Sequence, residues 1–255
     1  MNRTIRTLLV CVALLCAPKA DAAAILHYDD DSITGGNVVG QALTSLGEVP
    51  TVTDHANFAT DLGSQPWDLV VVDISANAIS APNVASLIGY VNGGGKAILS
   101  YWDLDSVPAL ATAFEASVAN DFFSPQSVHA WAPGHPIFNQ PNAVASPITF
   151  TGTTFIDNGD ELDAIGGGMA LGGFSPAPMA GQAGIVLGNG GRTIVNGWLF
   201  DDLESIPGID FTANEINFVL NGAAVVPEPT SLAVFGLGFC LAGFGTSGRR
   251  RRPKA

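Results

Sequence analysis

Residues 67–74, Trp-Asp-Leu-Val-Val-Val-Asp-Ile, limit the possible folds more than any other stretch of this chain. The run is β-branched and apolar without alternation, so as a strand it is apolar on both faces. Such a strand has to be covered from both sides, which requires layers above and below a central sheet. The neighbouring sequence supplies them. Residues 23–28 read as a buried strand, and 37–46 place Val38, Val39, Ala42, Leu43 and Leu46 at helical spacing before Gly47. Residues 49–53 read as a second strand and 57–62 as a short helix. Residues 81–91 read as a helix with Pro82 near its start and three glycines, 93–95, at its end. Residues 96–102 are a fourth strand, and 106–118 a helix with Pro108 in its first turn, where proline is tolerated. Strand and helix alternating at this spacing predict βαβ units, right-handed crossovers and helices on both faces.

The pattern changes after residue 120. Residues 120–175 are rich in Pro, Gly, Asn and Thr, and their apolar runs are short (148–150, 153–156 and 169–171). They read as irregular loops with a few β segments. Residues 184–187 and 192–199 flank the turn 188–191, a hairpin signal. Residues 212–220 read as a closing helix with Thr212 as N-cap and Glu215 three positions on, a capping box. The expected fold of residues 23–222 is therefore α/β, a doubly wound, mostly parallel sheet of the Rossmann or flavodoxin kind.

Both ends differ from this body. Residues 1–22 hold Arg3 and Arg6, an apolar run from Leu8 to Ala17, and then Ala20-Asp21-Ala22. That order predicts a signal peptide cleaved after Ala22, and export by the Sec machinery. Cys16 is preceded by Leu15, where a lipobox wants a small residue. All three cysteines (Cys11, Cys16 and Cys240) lie in the ends, so the body has no thiolate metal site, disulfide or cysteine nucleophile. The charge is just as uneven. Of 10 basic residues the body keeps only Lys96 and Arg192, but it holds every acidic residue of the 23 except Asp21 and Glu228. The net charge of −13 therefore understates the acidity of the body. Nucleic acid and anionic membrane surfaces are poor partners for such a surface.

At the other end, Pro227-Glu228-Pro229 precedes an uncharged, glycine-rich span from Thr230 to Gly248, followed by Arg249-Arg250-Arg251-Arg252. The span is near the roughly 17-residue lower limit for a membrane helix. The arginines would hold its end in the cytoplasm. These parts, in this order, resemble the PEP-CTERM sorting signal of Gram-negative bacteria. The resemblance implies that residues 223–255 are a transmembrane sorting signal. An exosortase would cut near Pro227 to Pro229 and pass the protein from the inner membrane toward the cell surface or extracellular matrix. It also implies an association with exopolysaccharide.

The body in turn resembles the class I glutamine amidotransferase-like fold. The residues that carry the likeness are 67–74, 91–99, Gly134-His135-Pro136-Ile137-Phe138 and 191–198. In amidotransferases a strand-turn-helix elbow bears a nucleophilic cysteine, with a histidine later. Here the stretch after Leu99 reads Ser100-Tyr101-Trp102-Asp103-Leu104-Asp105, with neither a cysteine nor a G-x-S-x-G. The resemblance implies the fold and speaks against the activity.

Ligands of an open parallel sheet gather beyond the carboxyl ends of its strands. Asp29, Asp30, Asp31, Asp54, Asp73, Asp103 and Asp105 fall there. Of these, Asp29, Asp30, Asp31, Asp73, Asp103 and Asp105 are candidate ligands for Ca²⁺ or Mg²⁺, since hard cations take several oxygens; a solvated acidic rim is the alternative. The 157–163 loop lacks EF-hand spacing and Asp201-Asp202-Leu203-Glu204 is weaker still. His27 lies within a strand and reads as a core residue. A Ser100, His135, Asp103 triad can be written, but no elbow motif supports it. Trp102, Trp131 and Trp198 are candidates for a sugar-binding surface or for core packing. The expected function is that of an exported, non-catalytic surface or matrix protein binding cations or exopolysaccharide. The rival is a hydrolase or amidase on the same scaffold.

Overall fold

The computed structural model describes residues 22–30, 37–122, 127–150, 159–203 and 205–222. The first half follows the alternation read from the sequence. Strands β1 (Ile25–Asp29), β2 (Thr51–Thr53), β3 (Leu69–Ile74) and β4 (Ala97–Tyr101) are separated by helices α1 (Val38–Ser45), α2 (Phe58–Leu62) and α3 (Ala81–Asn92). After β4 comes α4 (Pro108–Ala113). All six residues of β3 are buried. Its alternate side chains feed two cores. Leu69 and Val71 join α1 and the C-terminal helix α5 (Ile206–Asn221), whereas Val70, Val72 and Ile74 join α2, α3 and α4. The double coverage demanded by an apolar strand is thus met by helices on both faces.

The sheet order is β2-β1-β3-β4-β11-β10-β9-β6-β7. β1 pairs in parallel with β2 and β3, and β4 with β3 and β11 (Thr193–Asn196). Beyond β11 every described ladder is antiparallel. β10 (Ala183–Gly188), β9 (Met169–Gly173), β6 (Ser127–Ala130) and β7 (Ile148–Thr149) extend the sheet. β8 (Gly159–Ala164) pairs with β5 (Ala116–Phe122) and touches β10. The fold is therefore a mixed α/β sheet, not a mostly parallel one. Parallel neighbours need a crossover of a dozen or more residues, whereas hairpins need two to five. The β10–β11 pair is joined by such a hairpin. Asn189, Gly190 and Gly191 have φ of 53°, 65° and 90° and turn β10 directly into β11.

Two helices differ from their sequence expectation. The helix expected over 106–118 stops at Ala113, because Glu115 takes a left-handed φ of 60°. Its Oε2 accepts from the Asn189 backbone N–H at 2.7 Å and its carbonyl from that of Ile165 at 2.9 Å. Those long-range bonds, absent from any local pattern, start β5. The closing helix begins at Ile206 rather than near Thr212. Its N-cap is Ser205, whose Oγ accepts from the Gly208 N–H at 3.2 Å, and Pro207 sits in the first turn. Thr212 lies inside the helix and donates to the Gly208 carbonyl at 3.0 Å, while Glu215 turns onto the sheet. No described helix is long and apolar enough to cross a membrane. The expected signal peptide and tail helix lie outside the described residues.

Two glycines separate packing constraint from chain freedom. A Cβ on Gly197 would collide with the Asp160 carbonyl oxygen, a backbone atom that cannot step aside; one on Gly89, in the middle of α3, meets nothing within 4 Å. Gly197→Ala is therefore expected to destabilise by about 1–3 kcal/mol. Gly89→Ala is expected to stabilise by roughly 0.5–1 kcal/mol. Urea unfolding of the two variants beside wild type checks both signs.

Candidate functional site

Helices cover both faces, so polar side chains of the parallel strands collect at the carboxyl edge. Strand register sets them in a row. Asp29 lies opposite Asp73, Asp73 opposite Ser100, and Ser100 opposite Asn196. The row belongs to the α1/α5 face, because each of its members follows a residue of that core by two positions or a multiple of two. Asp73, Ser100 and Asn196 are buried.

Two of the predicted rim acids, Asp30 and Asp54, already serve the backbone. Asp30 is buried, and its two oxygens accept from the backbone and side-chain nitrogens of Asn77, both at 2.8 Å. The Asp30 N–H donates to the Asp73 carbonyl. Asp30 therefore ties down the loop that follows β3. Asp54 Oδ1 accepts from the N–H groups of Ala56 and Asn57 at 3.0 Å, which caps the turn into α2. Asp103 accepts the Tyr101 hydroxyl at 3.1 Å. Asp31, Asp157 and Glu204 lie outside the described residues, as do all the residues of the sorting motif. Of the six predicted cation ligands, Asp105 belongs to a described carboxylate group. The described group with carboxylate oxygens within 4.8 Å of one another is Asp105, Asp121 and Asp160. These are the residues that could hold a hard cation. Asp121 and Asp160 face each other across the β5–β8 ladder, and Asp160 also accepts from the Leu104 N–H at 3.1 Å. Burial and the charges of Asp121 and Asp103 hold the Asp105 carboxyl above its usual range.

Ser100 is fully buried. Its hydroxyl donates to the Trp198 carbonyl at 2.7 Å and receives the Phe200 N–H at 3.2 Å. His135 is half-buried, accepts from the Ile137 N–H and packs on Phe218 at 4.8 Å. Burial lowers its pKa. Ser100 and His135 thus have separate partners. His27 is a core residue, as expected; burial drops it to about 4 against the pull of Asp29, so it is neutral at pH 7. Trp198 is buried among Phe150, Phe174 and Phe211 at 6.1–6.4 Å. Trp131 donates to the Ser175 carbonyl, and Trp102 meets Tyr101 edge-on. Trp198 is thus core packing, and neither Trp131 nor Trp102 is fully exposed.

Sequence reasoning named Glu215 and Asp202 but missed that both are buried. Glu215 Oε2 accepts from Asn196 Nδ2 at 2.9 Å, with both residues fully buried. Burial pushes Glu215 up to about 8; burial and Asp201 push Asp202 up to about 7. The two cations of the body sit at the opposite edge, just before β4 and β11. Lys96 Nζ donates to the Leu220 carbonyl at 2.6 Å, and Arg192 Nη1 to that of Gly95 at 3.3 Å.

Known proteins resemble this chain in two places. Residues 225–252 match the PEP-CTERM protein-sorting motif, which implies exosortase processing and export through a C-terminal, membrane-anchored sorting step. The domain is similar in structure to a Thermoplasma acidophilum protein named for GMP synthase. That match has 15% identity and a TM-score of 0.55, and covers 78% of this chain and 95% of the other. A glutamine amidotransferase of Thermotoga maritima matches at 10% identity and a TM-score of 0.51, over 78% and 98%. A ThuA-like protein of Parabacteroides merdae matches at 10% and 0.50, over 79% and 91%. At such identities the likeness is one of fold: an amidotransferase-like mixed α/β sheet. No curated protein matches the chain in sequence.

The Asp105, Asp121, Asp160 group yields a signed test. Without a counter-ion its carboxylates repel one another. Asp105→Asn is then expected to raise the melting midpoint of the full-length chain in EDTA. A lower midpoint would mean that the Asp105 charge is favourably partnered.

Proposed function

We propose that this chain is an exported cell-surface or extracellular-matrix protein, carried through the inner membrane by the Sec machinery and sorted by its PEP-CTERM tail. Its α/β domain then acts in binding or structure rather than in catalysis. The observation that supports the non-catalytic reading is the state of Ser100. It stands at the end of β4, in the stretch where the amidotransferase-like resemblance expects its elbow. A nucleophile there needs an exposed oxygen and a base within reach. The Ser100 hydroxyl is instead buried and spends its proton on the Trp198 carbonyl. The acidic surface, with two cations in the body, favours cations or hydroxyl-rich polymers such as exopolysaccharide over anionic partners. The rival reading, a hydrolase or amidase, draws on the fold likeness alone.

Two experiments bear on this. In the full-length chain, Ser100→Ala is expected to destabilise by about 1–3 kcal/mol, since it strands a buried carbonyl and N–H. Hydrolysis of ester, amide and glutamine substrates should stay at background in wild type and variant alike. Turnover in wild type that Ser100→Ala or His135→Ala abolished would establish the enzyme reading. In an exosortase-bearing Gram-negative host, replacing Pro227, Glu228 and Pro229 with alanine is expected to leave an uncleaved precursor in the membrane fraction. Processing and surface delivery at the wild-type level would refute the sorting role.

A further inference from the structure

The middle of α5 meets the sheet through one polar pair in an apolar layer. Asn196 of β11 and Glu215 are each fully buried and are joined by the Nδ2 to Oε2 bond. The other two atoms of the pair, Asn196 Oδ1 and Glu215 Oε1, are buried without a partner among the described residues. Both are acceptors as long as Glu215 is ionised, so neither can donate to the other. Stranding two buried acceptors is costly. A proton on Oε1 supplies a donor where the ionised carboxylate has none.

We propose that the seat of α5 is a proton-dependent latch, in which Glu215 holds the helix on Asn196 as a neutral acid and loosens it on ionising.

Among the described residues, the surroundings offer Glu215 no other counterpart. α1 and β11 carry no titratable residue, and neither does the face of β4 turned to this core. Ahead of β4 and β11, Lys96 and Arg192 are engaged with backbone carbonyls at the far edge. The short 3-10 turn Pro136–Phe138 brings only His135, whose pKa is lowered by burial. The turn Phe200–Leu203 brings Asp201 and Asp202, which are acids and offer Glu215 no cation. On α5 itself the remaining acid is Asp210. On the strands of the same face stand neutral His27, Asp29 and Asp73. Burial alone raises Glu215 to about 8 from an ordinary 4.5, with the Asn196 bond opposing.

The sign follows from linkage. An acid raised in the fold stabilises it fully below its unfolded pKa, and that stability is lost as pH rises to the folded value. The latch is therefore closed in acid and weakens from about pH 4.5 to about pH 8.

Hydrogen exchange on the full-length chain, corrected for intrinsic rates, tests it. From pH 5.5 to 8.5 the protection of α5 amides relative to those of β3 is expected to fall by about tenfold or more in wild type. Glu215→Gln keeps the shape and carries a permanent donor, so it should abolish that fall and protect α5 better at pH 8.5. An unchanged fall in Glu215→Gln, or its removal by Asp202→Asn instead, overturns the proposal. Should Glu215→Gln not fold, carbon NMR titration of the wild-type Glu215 carboxyl decides. A midpoint well above the ordinary 4.5 supports the latch, and an ordinary one overturns it.

Discussion

The domain depends on burying β3 on both of its faces. Fully burying a valine or leucine side chain is worth roughly 1.5–3 kcal/mol, and β3 delivers such side chains alternately to two cores. One core is closed by α1 and α5, the other by α2, α3 and α4. Neither core forms without its helices, and α5 arrives from the end of the domain, so distant segments have to assemble around one strand. β11 completes the arrangement by pairing in parallel with β4 and leading through a short turn into α5.

Two-sided coverage also decides where charge can go. The interiors of the parallel strands are closed to charge, so their charged groups collect at the ends. At the amino edge the two cations of the body bond to backbone carbonyls. The carboxyl edge holds acids, among them Asp29, Asp30 and Asp73. Two of the buried acids there are matched with neutral amides, Asp30 with Asn77 and Glu215 with Asn196. An amide nitrogen satisfies one carboxyl oxygen but does not neutralise the charge. Asp30 takes two donors at its loop. Glu215 takes one, within a dry layer, so a proton has to do the rest.

The parallel half of the fold was legible because its information is local. The unalternating apolar run of β3, the helical spacing of α1 and the glycines after α3 each act within a few residues. The antiparallel half was not, because distant partners shape it. Glu115 turns left-handed to meet Asn189 and Ile165, far along the chain, and no periodicity near residue 115 announces that. β8 reads as an acidic loop, since Gly-Asp-Glu-Leu-Asp lacks β-formers, yet it is held by its pairing with β5. Strand ends could be placed from the sequence, which located Asp29, Asp73 and Ser100 at one edge. Which carboxylates actually meet could not, because Asp105, Asp121 and Asp160 converge only through the β5–β8 register. Glu215 reads as half of a capping box because its spacing from Thr212 fits one. Gly208 in the first turn is required by the turn before the helix, since a Cβ there would strike the Leu203 carbonyl.

Ser100 shows how a strand-end position is drawn into holding a fold together. The sheet needs β4 only for its apolar pattern and its register with β3 and β11, and both are indifferent to the residue at the strand end. Catalysis would need that residue to be exposed and to have a base within reach. Here it is drawn inward, one hydrogen bond given to residue 198 and one taken from residue 200, so it fixes the path from β11 toward α5. Asn196, one strand over, meets α5 from below through Glu215. The strand ends of β4 and β11 thus serve to position the last helix of the domain, and the chain beyond that helix runs into the sorting motif. A strand-end hydroxyl that is engaged in holding the fold together is not free for substrate, which is the physical link between the burial of Ser100 and the proposed binding or structural role.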